Sequence, residues 1–271
     1  MVDDDSRAAP IADLDQLPSH SVAFVSEPCS PVCVLIPVIN EGERILRQLR
    51  GMKESALGVD VVLVDGGSSD GSMEPRRLRE ELGVTALLVK TGRGKLSAQL
   101  RIGMAWCLSR GYPGIVTIDG NGKDDFRAIP HFVEKLAAGF DHVQGSRYLP
   151  GGVSENTPLD REIGVRWVHA PLISCGARFR YTDTTNGFRA YSRKFLLDSR
   201  VRPFRSIFDT YNLHYYLAVR APRLRFKVCE IPVVRRYPAR GPTPSKIGGL
   251  SGKLHILRQT FVAACGGYNP R

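Results

Sequence analysis

The apolar run 115–118 stops at Asp119, and Gly120, Asn121, Gly122, Lys123, Asp124 and Asp125 follow it. A carboxylate at the end of a buried strand, with a flexible Gly-Asn-Gly turn behind it, can hold a divalent ion against a phosphate. Taken alone, the same residues also make an ordinary Asn-Gly turn. Two other segments have a related build. The run 59–64 ends at Asp65 and the loop GGSSDGS, and the glycine-rich TGRGK ends at Lys95 just before an apolar-periodic stretch. Carboxylates hydrogen-bond a ribose or base, whereas a lysine at a helix amino terminus favours phosphate. TGRGK lacks the GxxxxGK[ST] spacing of a P-loop, which disfavours ATP hydrolysis.

These residues need a frame that brings them together. Short β-branched runs predict strands over 32–37, 59–64, 84–89, 115–118 and 142–144, and 3.6-residue periodicity predicts helices over 41–52, 73–82, 96–110 and 129–138. Alternation at this spacing implies βαβ units, hence a Rossmann-like α/β fold with a mostly parallel central sheet flanked by helices. The carboxyl ends of parallel strands share one rim, which would place Asp65, Asp119 and Lys95 around one crevice. Residues 1–30 mix Asp, Pro, Ser and Ala and read as an amino-terminal arm. Residues 31–271 read as one domain, with a nucleotide-binding half (31–150) and a more mixed second half (151–271). The second half holds helical stretches over 161–175 and 209–220, the segment TDTTNGFRAYSR, a strand over 227–234 and a final helix over 247–264.

The formal net charge of +11 rests mostly on arginine. Such a balance suits phosphates or an anionic membrane surface, and equally follows from a GC-rich genome. The six cysteines form no CxxC pair and no cluster with histidine, which argues against a zinc site or a disulfide framework and suits a reducing cytoplasm. No apolar run has the length of a membrane span, and the acidic start MVDDDSRAAP is unlike a signal peptide. A cytoplasmic protein, at most peripheral at the inner face of a membrane, is the expectation. The final helix could touch that membrane, or pack on the domain or on a second copy in a homo-oligomer.

Six motifs in order resemble glycosyltransferase family 2 of GT-A fold, near the polyprenyl-phosphate and dolichyl-phosphate sugar synthases. They are IPVINE, VLVDGGSSDGS, IDGNGKD, QGSRYLPGG, TTNGFRAYSR and EIPVVRRYP…PSKI, spanning 32–247. The resemblance implies transfer of a sugar, with inversion, from a UDP- or GDP-linked donor to a phosphate-bearing acceptor such as a polyprenyl phosphate, and no nucleic-acid partner. It places Pro37, Asn40, Glu41 and Asp65 around the nucleoside and puts Asp119, with Asn121, on Mg2+ or Mn2+. Lys95 and Lys123 fall on the diphosphate, and Arg147 near the sugar or acceptor phosphate. Arg235 or Arg236 (Arg236 being preferred), with Ser245 and Lys246, would meet phosphates in a closing loop. An acceptor that is not already anionic needs a base, and Asp183 and Asp209 are the candidates. Each has a plainer role, Asp183 in a turn and Asp209 as a helix cap.

The departures from the family pattern are specific. Asp65-Gly66 stands for a paired Asp, Asn121 for the second Asp of DxD, Lys123 for a further polar ligand, and Asn212 for an acidic residue of the later helix. Asn ligates a hard cation more weakly than a carboxylate does. The expectation is therefore a divalent ion held with a weakened grip, with the Lys123 charge partly standing in. Three alternatives remain open at this level: a glycosyltransferase acting on a soluble small molecule, a nucleotidyltransferase, and a non-catalytic nucleotide-binding module.

Overall fold

The computed structural model describes residues 11–239 and 249–270. In chain order the strands and helices are β1 (His20–Val25), β2 (Val32–Val38), α1 (Glu43–Glu54), β3 (Asp60–Asp65), β4 (Ala86–Lys90), α2 (Leu96–Ser109), β5 (Gly114–Thr117), α3 (Ile129–Ala137), β6 (His142–Ser146), β7 (Val153–Glu155), α4 (Leu159–Ile163), α5 (Ala170–Ala177), β8 (Arg189–Ser192), α6 (Arg193–Leu197), α7 (Asn212–Arg223), β9 (Val228–Pro232), β10 (Val234–Arg236) and α8 (Gly249–Ala264). The main sheet runs β1-β4-β3-β2-β5-β8-β6-β9, and β7 pairs with β10 in a separate two-stranded ribbon.

The parallel block β4-β3-β2-β5 follows from its side chains, which are apolar on both faces. Cys33, Leu35, Val62, Val64 and Ile115 point to a core shared with α2, α6 and α7. Their neighbours Val34, Ile36, Val61, Leu63 and Val116 point to the opposite core under α1 and α3. That period of two, with helices on both faces, puts the ends of β2, β3 and β5 on one rim. β8 runs antiparallel between β5 and β6, pairing Thr117 with Arg189, so the residues preceding Arg189 arrive at the same rim from the opposite direction.

Two expectations are corrected. Residues 20–25 are not part of a loose arm: they form β1, antiparallel to β4, with the alternation of Ser21, Val22, Ala23 and Phe24 suiting an edge strand. The expected helix over 73–82 is found as a shorter helical segment, 75–81, whose residues Arg77–Glu81 are wide-turned. Pro75 lacks a backbone donor, the Glu74 carboxylate takes the N–H groups of Arg76 and Arg77 (2.9 and 2.6 Å), and Gly83 at φ +67° ends the turn.

Candidate active site

The donor side of the rim is a stitched pair of loops. Gly66 N–H donates to the Val38 carbonyl at 2.7 Å, and Gln99, on α2, donates its amide to the carbonyls of Val38 (2.8 Å) and Val64 (2.7 Å). Asn40, at φ +49°, accepts from Ser69 N–H at 2.8 Å, while its own N–H donates to the Ser68 hydroxyl at 2.9 Å. Asp65 is buried and accepts the Ser68 hydroxyl (2.6 Å) and N–H (3.0 Å), so its first task is to shape this loop. Glu41 is held by Arg44 at 2.8 Å. Pro37 lies inside β2 opposite Val64 and is buried, rather than lining open space. Lys95 is exposed at the start of α2, its N–H fastened to the Asp209 carbonyl at 2.6 Å.

Asp119 sits just beyond β5, and its Oδ2 accepts Arg235 Nη2 at 3.0 Å and the Asn121 amide at 3.3 Å. The other guanidinium nitrogen of Arg235 bonds Asp124, which is fully buried, and lies 3.4 Å from Asn186 Oδ1. Backbone pairing explains why Arg235 reaches these acids. Asp125 N–H donates to the Val234 carbonyl (3.0 Å) and Arg236 N–H to the Lys123 carbonyl (2.8 Å), while the other edge of β10 pairs with β7. Burial favours a neutral Asp119, but the charges of Arg235 and Lys123 overcome it and hold this carboxyl below its usual range. Burial and the neighbouring Arg235 push the Lys123 ammonium down to about 8. Gly187 leaves room for Asp119, because a Cβ there would stand 2.5 Å from Asp119 Oδ1.

A second buried ion pair lies beside the first. Arg147 and Asp183 are joined by Nε–Oδ2 (2.6 Å) and Nη2–Oδ1 (3.0 Å) bonds, with side-chain exposures of 2% and 0%. Arg147 also donates to Thr185 Oγ1 at 2.8 Å and to the Tyr237 hydroxyl at 3.4 Å. The loop carrying Asp183 is over-determined. Glu230 accepts from Thr182 N–H (2.8 Å) and Asp183 N–H (3.1 Å), and buried Arg189 donates to the carbonyls of Thr184 (2.7 Å), Asn186 (2.9 Å) and His214 (2.7 Å). Tyr237 then gathers the cations. Lys123 Nζ, Arg161 and Arg235 lie 5.0, 5.5 and 5.7 Å from its ring centre, and Arg161 donates to its hydroxyl at 3.3 Å. Burial alone would raise the Tyr237 phenol, but Arg235, Arg147 and Arg161 bring it down to about 8.

Several sequence expectations are thereby revised. Asp183 does not stand open as a base: both its oxygens are engaged by Arg147, and that charge outweighs burial to keep its carboxyl low. Arg235, not Arg236, meets Asp119, because successive side chains of β10 point to opposite sides. Arg236 is exposed, bonded to Glu155 at 2.9 Å, and borders a cleft of about 480 Å3 with Arg44, Gln48 and Lys123. Asp209 is exposed in the turn before α7, while Asn212 is buried with its amide on the Ile207 carbonyl at 2.8 Å. Ser245 and Lys246 lie outside the described residues. Arg161 and Tyr237 escaped the sequence reading. Arg161 sat in a segment legible only as helix, whereas the RRYP run around Tyr237 was a signal within reach.

Comparisons with known proteins point the same way. Residues 33–200 match the family model described as Glycosyl transferase family 2. The undecaprenyl-phosphate mannosyltransferase of Micrococcus luteus is 30% identical over 247 residues, covering 89% of this chain and 98% of that protein. The polyprenol monophosphomannose synthase of Mycolicibacterium smegmatis is 28% identical over 214 residues, covering 76% and 77%. Among solved structures, glucosyl-3-phosphoglycerate synthase from Mycobacterium tuberculosis, in complex with Mn2+, UDP and glucosyl-3-phosphoglycerate, aligns with a TM-score of 0.62 at 16% identity, covering 87% of this chain and 80% of that one. At that identity the likeness is one of fold.

Proposed function

The chain belongs to glycosyl transferase family 2, and from that premise we propose that it transfers a sugar from a UDP- or GDP-linked donor to the phosphate of a polyprenyl-phosphate lipid. The observation that carries this reading is the convergence of Arg147, Arg161, Arg235 and Lys123 on Tyr237, next to Asp119. A reaction between two phosphate-bearing molecules needs this density of cations. The names of the two mannosyltransferase relatives support a lipid-phosphate acceptor.

The step is a displacement. An acceptor phosphate oxygen attacks the anomeric carbon while the bond to the diphosphate oxygen breaks, and the electron pair leaves with the nucleoside diphosphate. Attack from the face opposite the leaving group inverts the anomeric centre. The acceptor is already an anion, so no base has to remove a proton, which agrees with Asp183 being committed to Arg147. Charge builds on the diphosphate as the bond breaks, and Lys123 and Arg235 stabilise it in a setting of low dielectric. In this reading Arg161, bonded to the Tyr237 hydroxyl, takes the acceptor phosphate, and Arg147, buried against Asp183, adds its charge from behind Tyr237.

A lipid acceptor also needs a surface on which to present its phosphate. Leu159, Ile163 and Trp167 are 71%, 49% and 75% exposed at four-residue spacing, in the same segment as Arg161. Leu254, Leu257 and Phe261 of α8 are also exposed, and Lys253 ties α8 to Asp160 at 2.6 Å. No helix among the described residues is long and apolar enough to cross a membrane, and these two stripes suit contact with its surface. The test uses radiolabelled UDP- and GDP-sugars with polyprenyl phosphate in vesicles. Label should pass into the organic extract, and Trp167→Glu should cut that transfer about tenfold while sparing a short, water-soluble prenyl phosphate. Label that stays in the aqueous phase as unreacted nucleotide sugar would overturn the lipid-phosphate reading.

A further inference from the structure

Glucosyl-3-phosphoglycerate synthase, similar to this chain in fold, is solved in complex with UDP and Mn2+ or Mg2+, and the donor set of this chain does not fit such an ion. Hard divalent cations take oxygen ligands, carboxylates foremost. After β5 the chain presents two partly buried carboxylates: Asp119, whose Oδ2 already receives Arg235 at 3.0 Å, and Asp125, which caps the Arg127 N–H at 3.1 Å and lies 3.6 Å from both Arg127 and Arg236. The second DxD position is Asn121, which turns its amide nitrogen toward Asp119 (3.3 Å) and its oxygen toward the Lys123 N–H (3.2 Å). Lys123 itself, two residues further on, is a cation. Asp124 is buried against Arg235. Among the described residues no three His, Cys, Asp or Glu side chains gather as a metal site.

We propose that the Arg235 guanidinium, together with Lys123, takes the place of the divalent ion, so that this chain binds its nucleotide donor without metal. The inference rests on the reading of the site as that of a nucleotide-sugar transferase. Two observations carry it. Arg235 is charge-paired to two of the three acids that follow β5, Asp119 and Asp124. It is also built in, because β10 is bonded along one edge to β7 and along the other to residues 123–125. A cation fixed by backbone pairing costs little reorganisation when charge develops nearby, which is what a bound metal provides elsewhere. A dication on Asp119 Oδ2 would compete with a guanidinium that is itself buried, its side chain 7% exposed.

The experiment titrates the wild-type chain with UDP and with GDP by calorimetry, once in excess EDTA and once in Mn2+. For the nucleotide that binds, the two dissociation constants should agree within about tenfold; a larger loss in EDTA overturns the inference. If neither nucleotide binds in either medium, the donor reading fails and the inference with it, a result the manganese arm separates from the first. The paired variant Asp124→Asn with Arg235→Gln avoids leaving a buried carboxylate unpaired. It should lose at least about tenfold in EDTA and recover in Mn2+, as Asp119 becomes free to ligate. Unchanged affinity of that variant in EDTA also overturns the proposal.

Discussion

Asp183→Asn separates a general base from a positioning residue. Asp183 and Arg147 are 0% and 2% exposed and joined by bonds of 2.6 and 3.0 Å, so the amide would turn a donor toward a buried guanidinium. Removing one partner of a buried pair costs roughly 3–5 kcal/mol. With about 2 °C per kcal/mol for a chain of this length, melting should fall by roughly 6–10 °C. Activity should fall with it, since Arg147 loses its orientation toward Tyr237. The pH dependence has a definite sign. Burial opposes the charge of Asp183, but Arg147 more than compensates and its carboxyl lies below the usual range. Its stabilisation is therefore complete above the unfolded value of about 3.9 and fades only as pH drops through the lower folded value. Wild type and variant should differ by the full amount at neutral pH and converge only in strong acid. Replacing both partners, Arg147→Met with Asp183→Leu, should restore much of the melting temperature but no activity. Differential scanning fluorimetry and steady-state rates read all three variants. An Asp183→Asn protein that melts like wild type, yet loses the acid limb of its pH–rate profile, would refute the positioning role and reinstate a base.

Two further substitutions probe the other pair and the tyrosine. Gly187→Ala puts a methyl 2.5 Å from Asp119 Oδ1 and 3.1 Å from its Cγ; the fold should survive with a cost of about 1–3 kcal/mol, while UDP or GDP affinity drops as Asp119 leaves Arg235, and full affinity by calorimetry would refute that geometry. Tyr237 ionises at about 8, because Arg235, Arg147 and Arg161 overcome its burial. Phosphate-ligand affinity should therefore fall between about pH 7 and 9, as a phenolate cancels one of the surrounding charges. Stability moves the opposite way: the lowered phenol contributes nothing below about 8 and its full share above the unfolded value of about 10. Lys123, also brought down to about 8, loses its charge over the same range, so Tyr237→Phe should reduce both trends without abolishing them, the tyrosine's share being identified by following the phenolate absorbance in the wild type.

The parallel block was legible because its apolar runs are short, β-branched and separated by helices of ordinary period, and this also set Asp65 and Asp119 on one rim. Strand β8 was not, since TTNGFRAYS enters between β5 and β6 against chain order, and no local pattern announces a non-sequential partner. Strand β1 was hidden by its polar start, and the Arg235–Arg236 ambiguity by the three-residue length of β7 and β10, whose register alone decides which arginine turns inward.

A deeper limit concerns the acids themselves. Motif reading assigns Asp119 to a metal and Asp183 to base catalysis, because a carboxylate beside a glycine-rich turn is chemically competent for either. Competence depends on whether a cation of the same chain reaches it first. In this fold one does in each case: Arg235 from 116 residues away reaches Asp119, and Arg147 from 36 residues away reaches Asp183. The arginine-rich balance that suggested anionic partners is spent in part inside the protein, on converting carboxylates into anchors for guanidinium groups. A metal-binding acid and an arginine-anchoring acid are identical in one dimension, and they demand opposite responses to EDTA. The nucleotide titration in chelator therefore tests more than the need for an ion: it tests whether these acids act as ligands or as supports for cations that would replace one.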